Sequence, residues 1–334
     1  GDAGSGSFEI EIVNTAPNVT AAPTGPSVNE GSELAISNIA TITDHGFDDV
    51  TANTVESFHY SINWGDGSTA DEGDVTIDTV GSSGVRTAGS FDGTHTYADD
   101  GTYTVVLTVE DDDGATGTDE MTITVNNVDP IIAPIASQVV AAGEAMSASG
   151  SFADAGSDDW DVTVDYKDPD ETKTRPASQT ARDFSFTHTW DEPGTYPVAV
   201  TVTDDEKGTD TRTMSVTVAG TWVSLDDDGR LEIRDTTGSG QADDLTISYL
   251  AGPGLLVITD SAAVLGLDDG LGSRVGDSEL RIPVTSITGG MVELDLSAGN
   301  DVLVIESMIG SGLDFVIDAG DGDDTVDLSA TVVV

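Results

Sequence analysis

His95-Thr96-Tyr97, Gly101-Thr102-Tyr103, Val105, Thr108-Val109 and Asp111-Asp112 return in the same order as His188-Thr189-Trp190, Gly194-Thr195-Tyr196, Val198, Thr201-Val202 and Asp204-Asp205. The offset is a constant 93 residues, and it runs without a gap to Val125 and Val218, with nearly half the positions identical. A repeat of that length exceeds a solenoid turn and suits a whole small β domain. The chain therefore reads as part of a tandem array.

Working outward, the upstream halves match as well. Val28-Asn29-Glu30-Gly31 aligns with Val140-Ala141-Ala142-Gly143, and Asp44-His45-Gly46-Phe47-Asp48-Asp49 with Asp154-Ala155-Gly156-Ser157-Asp158-Asp159. Period-2 alternation in Thr102 to Val109, Met121 to Val125, Val198 to Val202 and Met214 to Val218 predicts strands, bounded by Gly, Asp, Asn and Pro turns. No segment carries a convincing helical period. Short strands at such turn spacings predict an all-β chain with two tandem Ig-like β-sandwiches, over 15–127 and 128–219. Asn14-Thr15-Ala16-Pro17 and Asn127-Val128-Asp129-Pro130 read as the linkers. Phe8, Ile10, Ile12, Asn14 and Pro17 align with Met121, Ile123, Val125, Asn127 and Pro130, so 1–14 is expected to be the last strand of a preceding repeat. If isolated, such a strand either completes a missing domain or pairs with a neighbour's sheet edge.

The texture changes at 220–334, where Leu231-Glu232-Ile233, Leu245-Thr246-Ile247, Leu255 to Ile258 and Leu294-Asp295-Leu296 predict short strands without the repeated block. Gly299-Asn300-Asp301-Val302 and Gly322-Asp323-Asp324-Thr325 lie 23 residues apart, a spacing that suits a β-solenoid coil. The expectation is a β-rich region, a partial β-solenoid truncated in the strand-like run at Val334.

The 334 residues include 62 acidic and 11 basic ones, for a formal charge of −51. Phosphate binding needs clustered Lys and Arg, so nucleic acid is excluded as a natural partner and an anionic membrane surface is disfavoured. Two readings of the acidity remain, cation binding and adaptation to high salt. The carboxylates gather in turns, whereas strand faces such as Thr104 to Val109 carry Thr and Val. Clustered turn acids repel one another unless a cation sits among them, which favours Ca²⁺. With no cysteine, neither disulfides nor a Cys-based zinc site are possible. No apolar run is long enough for a membrane span.

Trp64-Gly65-Asp66-Gly67, followed by His95-Thr96-Tyr97, Gly101-Thr102-Tyr103 and Asp111-Asp112-Asp113-Gly114, resembles a PKD (polycystic kidney disease-type) domain. The resemblance implies an immunoglobulin-like sandwich of the kind found in prokaryotic surface proteins and beside secreted hydrolases. The second copy departs from it, with Tyr166-Lys167-Asp168-Pro169 in place of Trp-Gly-Asp-Gly. Ala319-Gly320-Asp321-Gly322-Asp323-Asp324-Thr325-Val326-Asp327 resembles the nonapeptide of RTX-type calcium-binding solenoids, which implies Asp301, Asp321, Asp323 and Asp324 as ligands.

In a sandwich of this topology the B–C and F–G loops share a pole with the entering linker. That pole collects Asn14, Asp44, Asp48, Asp49, Asp111, Asp112 and Asp113 in the first copy. In the second it collects Asn127, Asp129, Asp154, Asp158, Asp159, Asp204 and Asp205. Ca²⁺ takes six to eight oxygens, which two loops and a linker can supply. The competing reading is that these Asp turns satisfy backbone donors and stay solvated. Trp64, Tyr97, Tyr103, Trp190 and Tyr196 read as packing residues, and His95 and His188 as structural hydrogen-bonding groups. Trp160 and Trp222 are the candidates for a sugar platform or a domain wedge. No nucleophile-elbow or metalloprotease motif occurs, so no catalytic centre is expected.

The expected function is a non-catalytic structural segment of a secreted or cell-surface protein: a stalk, adhesin or surface-layer element with calcium-stiffened joints. Its partners would be neighbouring domains of the same chain, a second copy, or a surface glycan or protein. The alternative is an accessory region of a secreted hydrolase whose catalytic domain lies elsewhere.

Overall fold

The computed structural model describes residues 13–23, 25–49, 54–168, 175–176, 178–180, 182–237, 242–306 and 308–328. The strand expected over 1–12 lies outside them. Two compact units are formed, Gly1–Pro130 with Asp154–Asp159 and Asp204–Gly208, and Ile131–Ala153 with Trp160–Thr203 and Thr209–Val334. Apart from one 3₁₀ turn at Val284–Ser286, every regular element among the described residues is a strand.

In the first unit two sheets face each other. One runs in the order Asn18–Ala21, Glu33–Asp44, Thr87–Thr96, Thr76–Thr79. The other runs Ser27–Asn29, Thr116–Asn126, Gly101–Asp111, Phe58–Asn63, Asp71–Asp74. The alternation read from the sequence is the cause: Val105, Leu107 and Val109 point inward beside Met121, Ile123 and Val125, while Thr104, Val106 and Glu110 face solvent. The inward faces meet Leu34, Ile39, Ile42, Ile62 and Phe91 in one core. Trp64 is fully buried, and its indole N–H donates to Asp71 at 2.8 Å, while Tyr97 Oη donates to the Trp64 carbonyl at 3.1 Å. These two buried aromatics thus keep their polar atoms paired.

The second unit repeats the pattern. One sheet holds Ile131–Ile132, Ala145–Ala153, Asp183–Thr189 and Ser178–Thr180, and the other Gln138–Ala141, Thr209–Ala219, Gly194–Asp204, Trp160–Asp165 and Arg175–Pro176. Between them lie Met146, Val164, Phe186, Trp190, Val200 and Val216. The departure at Tyr166–Pro169 leaves the constellation intact. In the first copy His95 stacks on Trp64 at 4.8 Å and its Nε2 meets Asp66 Oδ2 at 2.7 Å. In the second, His188 stacks on Tyr166 at 4.0 Å and meets Asp168 Oδ2 at 2.8 Å. Lys167 takes the left-handed conformation (φ 55°) that Gly65 holds (φ 83°), and Lys207 (φ 78°) that of Gly114 (φ 85°). The turns persist although the glycines do not.

Within the second unit, the described residues between Thr221 and Leu328 build two curled mixed sheets around one core. Their orders are Leu265–Leu267, Thr221–Leu225, Leu231–Asp235, Met291–Asp295, Asp314–Asp318 and Ser273–Arg274, Glu279–Pro283, Leu255–Asp260, Asp244–Leu250, Val302–Ile305, Thr325–Asp327. Parallel pairing sets Leu231, Val292 and Phe315 in one row and Asp244, Val302 and Thr325 in another. The steps Val292 to Phe315 and Val302 to Thr325 carry the 23-residue spacing read from the sequence.

Candidate cation-binding site

The acidic pole of the first unit is assembled by main-chain geometry. Strand Gly101–Asp111 ends on Asp111, whose Oδ1 accepts the Ala115 amide at 2.8 Å and whose Oδ2 accepts the Asn14 side-chain amide at 2.8 Å. In the same way Asp204 Oδ1 accepts the Gly208 amide at 2.6 Å and Oδ2 the Asn127 side-chain amide at 2.9 Å. These two aspartates close their own turns, which is the reading that competed with metal binding. The match of Asn14 to Asn127 supports the 113-residue offset of the linkers.

Asp44 Oδ1 accepts the Gly46 amide at 2.6 Å, and Asp48 Oδ1 the Glu56 amide at 2.7 Å. Asp49 pairs with Thr54 across a short bridge, and Asp112 and Asp113 are exposed. Asp129 Oδ1 lies 2.5 Å from where a Cβ on Gly208 would stand, so it borders the Asn127–Asp204 pair. Asp159 donates its amide to Asp205 Oδ1 at 3.1 Å.

A different set converges on three buried carboxylate oxygens that have no hydrogen-bond partner. Glu30 and Asp158 are 0 % and 6 % exposed, and Glu30 Oε2 and both carboxylate oxygens of Asp158 are buried with no hydrogen bond. A Cβ on Gly156 would lie 2.5 Å from both Glu30 Oε2 and Asp158 Oδ1, so the two carboxylates crowd one glycine. Three groups have ligand atoms within 4.8 Å of one another: Glu30, Asp154 and Asp158; Glu30, Asp99 and Asp100; Asp158, Asp205 and Glu206. All of these residues belong to the first unit. Asp154, Asp158 and Asp205 were expected from the sequence; Glu30, Asp99, Asp100 and Glu206 were not.

Electrostatics follow from this crowding. Burial, then Glu30 and Asp154, push the Asp158 carboxyl up to about 7. Burial also raises Glu30, against the hydrogen bond that its Oε1 accepts from the Val128 amide at 2.8 Å. Glu56 sits at Gly46 as Glu30 and Asp158 sit at Gly156, and burial with Asp112, Asp44 and Asp111 pushes it up to about 7. Buried carboxylates without partners cost stability unless they take a proton or a cation. Oxygen donors alone suit a hard cation such as Ca²⁺ and not Zn²⁺, which favours nitrogen and sulfur.

Trp160 is half-buried, edge-on to Phe152 at 5.5 Å, with the Arg182 guanidinium 5.0 Å from its ring centre. The Trp222 indole N–H donates to Asp268 at 2.8 Å and its ring covers Gly266. Arg182 lies over the Trp160 ring, whereas Trp222 lines a cleft with Gln138, Leu267, Asp268 and Arg274. Of the expected RTX-type ligands, Asp301 is buried, Asp324 accepts the Asp301 amide at 3.0 Å, and Asp321 and Asp323 are exposed.

Residues 127–218 match the PKD domain family. The match falls on the copy that departs from the sequence motif, and the first copy is tied to it by the 93-residue offset and the shared His–Asp–aromatic stack. No curated protein matches the chain. Among solved structures, the PKD domain of an M14-like peptidase from Thermoplasmatales archaeon SCGC AB-540-F20 is similar at 19% identity and TM-score 0.22, covering 28% of this chain and 98% of its own. The titin domains z1z2 in complex with telethonin are similar at 16% identity and TM-score 0.31, over 62% of this chain and 98% of theirs. Fibronectin(III)-like modules of Clostridium thermocellum CbhA are similar at 13% identity and TM-score 0.24, over 60% and 93%. PKD domains are typically non-catalytic structural or binding modules of extracellular proteins. No helix among the described residues is long and apolar enough to cross a membrane.

Proposed function

We propose that the chain is a structural segment of a secreted or cell-surface protein, in which Ca²⁺ bound at acidic loop clusters stiffens the linkers between successive domains. The observation that carries this reading is the pair Glu30 and Asp158, buried together with three unpartnered oxygens beside Asp154. Glu30 already holds the linker through Val128, so a cation on its other oxygen would tie Asn127–Pro130 to loops 154–159 and 204–208. Asp111 holds Asn14 and helps to raise the nearby Glu56 carboxyl, so a cation near Glu56 would act on that linker as well. The paired rows at 23-residue steps support reading the C-terminal region as coils of a partial β-solenoid.

The test is calcium titration of chelator-treated protein, followed by thermal melting and small-angle scattering. A higher melting temperature together with a narrower distribution of interdomain distances is expected on saturation. Identical melting and scattering in calcium and in chelator would remove the reading.

A further inference from the structure

The cleft at Trp222 belongs to the second unit, which holds none of the acidic clusters described above. Its volume is about 720 Å³, within the roughly 300–1,000 Å³ of small-molecule sites. Edge strand Gln138–Ala141 of the second sandwich brings Gln138 and Val139 to it. The C-terminal region brings Trp222 from strand Thr221–Leu225, Asp268 and Asp269 from the turn after Leu265–Leu267, and Arg274 from Ser273–Arg274.

The indole is held in place by its own strand pairing. Trp222 stands opposite Gly266, and a Cβ on Gly266 would lie 2.1 Å from Trp222 Cε3, so only glycine lets the ring lie against the neighbouring strand. The ring edge is tied as well, because Nε1 donates to Asp268 Oδ1 at 2.8 Å. Asp268 is in turn fixed by the main chain: its amide donates to the Val223 carbonyl at 3.0 Å, and its carbonyl accepts the Leu271 amide at 3.3 Å. Gly270 completes this turn at φ 81°. The aromatic ring and the carboxylate beside it are therefore preorganised, which lowers the ordering cost of binding.

Around the ring the polar groups are of both kinds. Asp268 and Asp269 are exposed acceptors. Gln138 Nε2 donates to the Ser147 carbonyl at 3.0 Å, which leaves its Oε1 to accept. Arg274 Nη2 meets Asp277 at 3.3 Å, and its Nε is buried without a hydrogen bond, so the guanidinium has more donors than acceptors among the described residues. A ligand with an apolar face and hydroxyl groups, each of which donates and accepts, answers all of these. Charge narrows the class further. Two carboxylates, against one guanidinium already engaged by Asp277, disfavour an anionic ligand, and Arg274 disfavours a cationic one.

We propose that this cleft binds a neutral saccharide, whose ring lies on the Trp222 indole while its hydroxyls donate to Asp268 and Asp269 and accept from Arg274. The site adds a glycan-binding role to a segment otherwise proposed as structural. It is independent of calcium at the acidic loops and does not rest on that reading.

The test is saturation-transfer NMR and tryptophan-fluorescence titration of the full chain with cellohexaose, mannohexaose, xylohexaose and maltohexaose, with hexagalacturonate as the charged comparison. At least one neutral hexasaccharide is expected to bind and to change the indole emission, and hexagalacturonate is not. Trp222→Ala is expected to weaken binding at least about tenfold, and Trp160→Ala to leave it unchanged. Asp269 is exposed and makes no hydrogen bond among the described residues, so Asp269→Ala keeps the comparison open if Trp222→Ala does not fold, and a loss of affinity is expected there too. No binding of any neutral hexasaccharide at millimolar concentration would overturn the site. So would binding of hexagalacturonate alone, or binding left unchanged in the folded variants of Trp222 and Asp269, in which case the indole only wedges the sandwich against the region that follows.

Discussion

At the scale of single residues, the positions where the two copies differ carry most of the information. Glu30 stands where the second copy has Ala142, and comparison for likeness passes over it. That contrast is itself the signal, because Glu30 meets loops of a like domain and Ala142 does not. Glu30→Gln keeps an acceptor for the Val128 amide while removing a charge from the cluster. It is expected to raise the melting temperature in chelator and to shrink the rise that calcium brings. Parallel melting curves of parent and variant check both signs. Lys167 poses a different problem, since a side chain at φ 55° costs about 1–2 kcal/mol relative to the right-handed form. Its ion pair with the half-exposed Asp165 is worth little in return. Lys167→Gly is therefore expected to stabilise the second sandwich by roughly 0.5–1 kcal/mol, part of the relief being offset by backbone entropy. Urea unfolding with an unchanged m-value would establish it.

At the scale of elements, the strands were legible because two-residue alternation in Gly101–Asp111 and Thr116–Asn126 is dictated by which face meets the core. The His–Asp–aromatic stack was only half legible. His95 and His188 were read as structural, yet the exchange of Trp-Gly-Asp-Gly for Tyr-Lys-Asp-Pro hid that Asp66 and Asp168 do the same work. Burial opposes ionisation of Asp66, but hydrogen bonds from Ser68 and His95 outweigh it and hold the carboxyl down to about 2. The acidic cluster was the least legible, because Glu30, Asp99 and Asp158 come from separate loops and only the fold brings their carboxylates together. Packing in the first sandwich leaves little room. A Cβ on Gly93 would lie 3.0 Å from Ile39 Cδ1 and Trp64 Cη2 and 3.2 Å from Ile62 Cδ1. Gly93→Ala is expected to overpack this core and cost about 1–3 kcal/mol. Chemical denaturation of the variant measures it, and a cost below about 0.5 kcal/mol would show that the strands can spread.

At the scale of the whole molecule, a net charge of −51 makes stability depend on what neutralises it. Asp158 and Glu56 titrate near 7 and Asp243 near 8, all above their unfolded values. Between about pH 4 and 8 the metal-free native state therefore binds more protons than the unfolded chain, and stability falls as pH rises. Asp66 has the opposite sign, but its contribution is lost only as pH falls below about 4 toward 2. Calcium competes with the protons on the raised groups, so its stabilising effect is expected to be larger at pH 8 than at pH 5.5. Sodium chloride at matched ionic strength screens exposed charge but supplies no divalent cation for the buried cluster to bind. Thermal melting at both pH values, in chelator, in calcium and in matched sodium chloride, separates the two explanations of the acidity. If sodium chloride restores as much stability at pH 8 as calcium does, the excess of acid is a solvated surface suited to high salt. If calcium alone restores it, the carboxylates at Glu30, Asp154 and Asp158 are ligands whose repulsion keeps the metal-free chain marginal.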